Sequence, residues 1–329
     1  MIGWYVHDHG AGHLHRLQSI ARHLVEPVTV LSSLPRPADW QGEWEQLPSD
    51  RPLGDDVDTS AGGTLHWAPR HHPGLLARGA AVASWLARER PALVVVDVSV
   101  EVAVLVRSLG VPVVVVAMRG DRTDRAHRTA YDLADALLAP WPADLAEPWP
   151  QAWLDKCWHV GALSRLDDRP TSAPPGTGRV LVLWGRGGSD ITEVDAHDAA
   201  AATPGWTWEL LGLPGVPWLD DPWRALQDAD VVVTHAGQNA VAEVAAARRA
   251  AVVLPQHRPH DEQRATGRAL QAAGLAVVEP AWPHPGRWPA VLERAAGLGG
   301  SSWERWSDGQ GAGRAAARLD EAARAWAAR

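Results

Sequence analysis

The chain has 329 residues, 46% hydrophobic and 21% charged, the composition of an ordinary globular protein of about two domains. A formal net charge of −8 argues against a nucleic-acid binder, which carries a basic stripe. The single cysteine, Cys157, excludes an intrachain disulfide and a multi-cysteine zinc site, and suits a reducing compartment.

Residues 2–6 predict a strand, followed by a glycine-bearing loop and a helix with apolar positions at Leu14, Leu17, Ile20, Ala21 and Leu24. Residues 28–31 predict a second strand, 75–89 a helix, 92–97 a strand, 101–109 a helix and 111–117 another strand. Continuous β-branched runs of this kind suit parallel strands buried on both faces. Their alternation with helices implies a doubly wound α/β sheet. Residues 164–178 hold three prolines, two glycines and no apolar period, which marks a linker. The alternation then restarts, with strands at 179–184, 206–211, 231–234, 251–254 and 276–278 and helices at 222–227, 239–247 and 263–273. The expected organisation is a first Rossmann-like domain over 1–163, the linker 164–178, a second over 179–301, and a helical tail 302–329 packing back on the first. The two halves face each other across a cleft. Residues 1–6 are too short for a signal-peptide core, and the longest apolar run, 111–118, is far below a membrane span. A cytoplasmic location is the expectation.

The residue palette is lopsided: 19 Trp against no Phe, Lys156 as sole lysine, Asn239 as sole asparagine. It reads as a drift of the whole coding sequence, so no tryptophan is assigned a function. A residue type that the chain otherwise avoids is worth noticing where it survives.

Four stretches could carry chemistry. The first, His7-Asp8-His9-Gly10-Ala11-Gly12-His13-Leu14-His15-Arg16, lies at the carboxyl end of the first strand, where open α/β sheets bind ligands. Glycines let backbone approach a ligand, and an imidazole at a helix start can take a proton from a hydroxyl near neutral pH. A tight turn with surface histidines is the bland alternative. The histidine density invites a metal reading, but no matching carboxylate spacing or His-Glu-x-x-His helix supports one, so no metal is expected. The second, Gly185-Arg186-Gly187-Gly188-Ser189, lacks the endings of a P-loop or dinucleotide fingerprint, yet offers N–H groups and a guanidinium to a phosphate.

The third and most specific runs Ala229-Asp230-Val231-Val232-Val233-Thr234-His235-Ala236-Gly237-Gln238-Asn239, with Glu243 farther into the helix. Its helix start offers N–H groups and a positive dipole end to an anion. A carboxylate at Glu243 suits the two hydroxyls of a ribose; taken alone, without its neighbours, the residue reads first as part of a solvated helix face. The fourth, from Pro255 to Gln263, brings polar groups to the same sheet edge, where Asp261 and Gln263 suit sugar hydroxyls. Asp261 as a helix N-cap is the alternative.

Together the third and fourth stretches resemble the C-terminal domain of family 28 glycosyltransferases, the GT-B family of the N-acetylglucosaminyltransferase of lipid II synthesis. The matching positions are Ala229-Asp230, Thr234, Gly237, Glu243, Pro255, Asp261 and Gln263. Gly12-His13 resembles the family's N-terminal Gly-x-Gly-His loop, and Gly185 to Ser189 falls at its diphosphate loop. The resemblance implies two facing Rossmann-like domains and a cytoplasmic inverting glycosyltransferase, at the inner membrane face where the acceptor is lipid-linked. Its substrate would be a nucleotide diphosphate sugar, UDP-linked, and it needs no cofactor or metal. A Glu-x7-Glu pair typical of retaining enzymes is absent, since Ala251 stands eight places after Glu243. Donor-binding residues would be Gly185, Arg186, Gly187, Ser189, His235, Gly237, Gln238, Asn239, Glu243, Asp261 and Gln263. His13 would be the base and Asp97 its orienter or a helix N-cap. Gly10, Gly12, Arg16, Arg119 and Asp121 would face the hydroxyl acceptor. Gly-Ala-Gly-His-Leu-His-Arg also resembles the loop of a GT-B hydrolase of UDP-linked sugars, which leaves water as an alternative acceptor; an epimerase and a non-catalytic sensor are further alternatives.

Overall fold

A computed structural model describes residues 1–8, 12–185 and 188–327. The first half contains β1 (Ile2–Val6), α1 (Gly12–Ala21), β2 (Val28–Ser32), β3 (Glu43–Gln46), α2 (Pro73–Glu89), β4 (Leu93–Asp97) and α3 (Val100–Ser108). It continues with β5 (Val113–Val116), α4 (Arg125–Leu133), β6 (Ala136–Ala139), α5 (Gln151–Leu154) and β7 (Cys157–His159). These seven strands form one parallel sheet in the order β3-β2-β1-β4-β5-β6-β7. Its central strands, all-apolar along Leu93–Val96 and Val113–Val116, are buried throughout. The outer strand β3, Glu-Trp-Glu-Gln, is largely polar and has neighbours on one side only.

The second half holds β8 (Arg179–Leu183), α6 (Glu193–Ala201), β9 (Thr207–Leu211), α7 (Trp223–Asp228), β10 (Val231–His235) and α8 (Gln238–Ala247). After these come β11 (Ala250–Leu254), α9 (Glu262–Ala272), β12 (Val277–Val278), α10 (Trp288–Leu298) and α11 (Gly311–Ala327). Its sheet is also parallel, in the order β12-β11-β10-β8-β9.

Alanine-rich α11 returns to the N-terminal domain: Ala312, Ala315, Ala316 and Leu319 pack with Ile2, Trp4, Leu17 and Ile20 under the first sheet. Small side chains let this helix lie close to its neighbours. The segment between β7 and β8 is anchored to the C-terminal domain rather than free. Asp230 accepts the N–H groups of Gly176, Thr177 and Arg179 at 2.6–2.9 Å. The fully buried Arg249 donates to the carbonyls of Ser172, Leu226 and Gln227. No described helix is long and apolar enough to cross a membrane.

Candidate functional site

In each sheet the strand order reverses beside its first strand, and ligands of such sheets sit outside the carboxyl ends at that point. In the first sheet this is the β1/β4 edge, where the first turn of α1 carries His13 and β4 ends at Asp97. Asp97 is completely buried; one of its oxygens, Oδ1, bonds His13 Nδ1 at 2.9 Å and Arg16 Nη1 at 2.5 Å. Burial opposes ionisation most strongly, but Arg16 and His13 outweigh it and hold the carboxyl below its usual range. An ionised carboxylate only accepts, so Nδ1 of His13 carries a proton, and in the neutral ring the lone pair is then on Nε2. Asp97 does not cap α3, because Ser99 does, accepting the Val102 N–H.

In the second sheet the reversal falls between β8 and β10, where Gly185 follows one strand and His235 ends the other. Burial, reinforced by Arg258, lowers His235 to about 4, so it is a neutral acceptor for the Gly237 N–H at 2.9 Å. Its ring leaves no room beside it. A Cβ on Gly185 would stand 2.9 Å from Nε2, and one on Gly237 2.4 Å from Cε1. Helix α8 starts after Gly237 with no side chain capping it.

The two edges meet. The other arm of Arg16 donates to Gln238 Oε1 at the start of α8. Asn239 presses on α1, since a Cβ on Gly12 would lie 2.7 Å from its Nδ2. One turn farther along α8, Glu243 pairs with Arg165 Nε at 2.8 Å; burial pushes this carboxyl up while Arg165 opposes the shift. His15, Arg16, Ser19, Arg165, Asn239 and Glu243 surround a pocket of about 10 Å³, room for one water.

The other expected residues separate. Gln263 is buried, and its Oε1 accepts the N–H groups of Ala236 and Gln256, so it ties β10 to β11 rather than offering that oxygen to a ligand. Asp261, in left-handed conformation, pairs with Arg264 and Arg268 along α9. It lines a different groove, of about 560 Å³, together with Asp121. Arg119 is enclosed: it pairs with Glu147 at 2.8 Å and lies over the rings of Trp141 and Trp306, and burial lowers it to about 10. That guanidinium joins elements of the fold instead of reaching for an acceptor. Ser189 spends its hydroxyl on the backbone of Ile191. Gly10, Arg186 and Gly187 lie outside the described residues.

Sequence reasoning missed Arg165, hidden in a segment whose composition reads as a spacer. It also missed Glu262, raised above the usual range by burial against the opposing charges of Arg122, Arg16 and His13.

Residues 211–280 match the glycosyltransferase family 28 C-terminal domain. The UDP-N-acetylglucosamine–N-acetylmuramyl-(pentapeptide) pyrophosphoryl-undecaprenol N-acetylglucosamine transferase of Cupriavidus necator is 34% identical over 120 residues, 36% of this chain and 32% of that protein. Its Ralstonia nicotianae counterpart is 31% identical over 134 residues, 40% of this chain and 34% of the other. The chain thus matches about a third of the length of these curated relatives. Acinetobacter baumannii MurG superposes with a TM-score of 0.65 at 14% identity, covering 97% of this chain and 99% of that one. The glycotransferase of kitacinnamycin gives 0.66 at 19% identity, covering 98% of both chains.

The chain has the GT-B fold, and its residues 211–280 are similar to the family 28 glycosyltransferase C-terminal domain. His235, Gly237, Gln238, Asn239 and Glu243 fall inside the family 28 match. The other face of the GT-B cleft, His13, Arg16 and Asp97, lies outside it and rests on the fold and its own geometry.

Proposed function

We propose that this GT-B chain is an inverting glycosyltransferase. It moves a sugar from a UDP-linked donor to a hydroxyl acceptor, with no metal in the transfer step. The observation that carries this reading is the His13–Asp97 hydrogen bond at the β1/β4 edge, opposite the uncapped start of α8.

In this reading His13 Nε2 takes the acceptor proton as the acceptor oxygen attacks the anomeric carbon. The bond from that carbon to the diphosphate oxygen breaks, and the nucleotide diphosphate leaves with the electron pair from the opposite face. Asp97 stabilises the imidazolium that forms, and Arg16 keeps Asp97 ionised. The N–H groups at the start of α8 and the loop after β8 receive the diphosphate charge. Glu243 accepts the ribose hydroxyls once Arg165 releases it. Donor entry also requires the cleft to open, since ligand pockets of this class span ~300–1,000 Å³. The relatives' UDP-N-acetylglucosamine donor and pyrophosphoryl-undecaprenol acceptor support a UDP donor and a lipid-linked acceptor met at the inner membrane face.

The test is a panel of nucleotide sugars, scored for binding and for nucleotide release with and without alcohol acceptors. His13→Ala is expected to lower turnover by ~10²-fold or more while donor affinity is kept. Unchanged turnover removes His13 from the mechanism, and equal release in water alone identifies a hydrolase.

A further inference from the structure

Away from the His13–Asp97 pair, three imidazoles and a carboxylate from three stretches of the chain converge where the two domains touch. His66 comes from the loop between β3 and α2, Asp124 caps α4, His127 lies in the first turn of α4, and His260 sits in the turn between β11 and α9 of the C-terminal domain. One ligand atom from each lies within 4.8 Å of all the others. His66 Nε2 is 3.2 Å from Asp124 Oδ1, His127 Nδ1 is 2.5 Å from Oδ2, and His260 Nδ1 is 3.6 Å from the same oxygen. The third of these is beyond hydrogen-bond range. Hydrogen bonding to the carboxylate therefore does not account for all three rings.

The two domains hold His260 here by backbone. Its carbonyl accepts the Asp121 N–H at 2.7 Å and sits where a Cβ on Gly120 would be, 2.2 Å away. Arg122 separates the role of His127 from the other two. Arg122 Nη1 lies 3.1 Å from His127 Nε2, and a guanidinium only donates, so Nε2 must be the accepting nitrogen. Nδ1 then carries the proton that bonds Asp124, and His127 has no lone pair for an ion. A protonated outer partner of this kind is what orients a ligating carboxylate. His66 Nε2, His260 Nδ1 and Asp124 remain as an imidazole–imidazole–carboxylate donor set. Tetrahedral zinc with N and O ligands at ~2.0–2.2 Å places neighbouring ligand atoms about 3.3–3.6 Å apart. His66 Nε2 stands 3.2 Å from Oδ1 and His260 Nδ1 3.6 Å from Oδ2, so each imidazole lies near that spacing from one oxygen of the shared carboxylate.

We propose that His66, Asp124 and His260 bind one zinc-class divalent cation, with His127 fixing the carboxylate, and that the ion pins the C-terminal domain to the N-terminal one. The site is independent of the transfer reaction and of the reading of the His13 cleft.

The experiment uses the full chain, stripped with chelator and titrated with Co²⁺ followed by Zn²⁺. Expected are one equivalent bound, the visible absorption of four-coordinate Co²⁺, its loss on Zn²⁺ addition, and a higher Tm with Zn²⁺ than without. His66 is exposed, so His66→Ala tests a ligand without disturbing the core. It and His260→Gln should each abolish the Co²⁺ signal and the Tm rise, His127→Gln should weaken affinity ~10–100-fold, and His13→Ala should change neither. A Co²⁺ signal that survives both His66→Ala and His260→Gln, or no signal in the unmodified chain, overturns the site. Binding that leaves Tm unchanged overturns the pinning.

Discussion

Replacing Asp97 with Asn tests the two jobs given to one buried carboxylate. Asn keeps the volume and an acceptor oxygen but removes the charge. Arg16, with its side chain 5% exposed, then keeps Gln238 and loses its counter-ion. Breaking one side of a buried ion pair costs about 3–5 kcal/mol, and a retained neutral hydrogen bond returns about 1 kcal/mol. A net loss of roughly 2–4 kcal/mol follows, against a typical total of roughly 5–15 kcal/mol, so the variant folds but unfolds at lower urea. The same substitution removes the charge that stabilises the imidazolium, and turnover is expected to fall by ~10²–10⁴-fold. Both quantities are read on one preparation, by urea unfolding and by initial rates at saturating donor. A wild-type rate at reduced stability would falsify the dyad, and unchanged stability would refute the ion-pair argument.

The pH dependence supplies a second check on the same variant. The folded-state carboxyl lies below its ordinary value, so its stabilisation is complete above pH ~4 and fades as the pH falls through the lower folded value. The part of the stability gap between the wild type and Asp97→Asn that this carboxyl's own ionisation contributes should close only in strong acid, below its ordinary value.

Glu243→Ala is expected to weaken nucleotide binding about 10-fold or more, the worth of a hydrogen bond to a charged group, by calorimetric titration; an unaltered Kd sinks the ribose assignment. Burial raises Asp167 to about 6, opposed by the Ser164 N–H and the Ser307 hydroxyl, so the folded state loses stability as pH rises from ~4 to ~6. Asp167→Asn should therefore be more stable than the wild type at pH 7, by up to about 3 kcal/mol, and equal to it near pH 4; urea midpoints at the two pH values decide. Gly120 has φ +97° and faces the His260 carbonyl, so Gly120→Ala should cost ~1–3 kcal/mol of backbone strain and speed amide exchange at Asp121; an unchanged exchange rate there contradicts the contact.

What the sequence makes legible follows from range. Buried parallel strands such as Leu93–Asp97 and Val231–His235 announce themselves by composition, and the glycine turns after strands place His13 and Gly237 at sheet edges. The short, polar β3 and the alanine-rich, weakly patterned α6 carry no such signal. Chemistry that depends on which partner a side chain meets is not legible either. Gln263 has the same amide whether it satisfies Ala236 and Gln256 or a sugar, and Asp230 reads as a family signature while serving to hold the linker. The run from His7 to His15 is where a metal is looked for by density, yet the cluster that forms joins His66 to His260 through two loops and a helix start. Such a set has no local spacing, because its geometry is created only when the domains dock. The tryptophans are the opposite case. Trp4, Trp85, Trp141, Trp184, Trp288 and Trp303 are fully buried in a chain without phenylalanine and fill core volume, Trp184 edge-on to the ring of His235. Scarcity is the better guide: the one asparagine, Asn239, is the side chain that meets Gly12 across the cleft, and any larger residue at position 12 would have to push it aside.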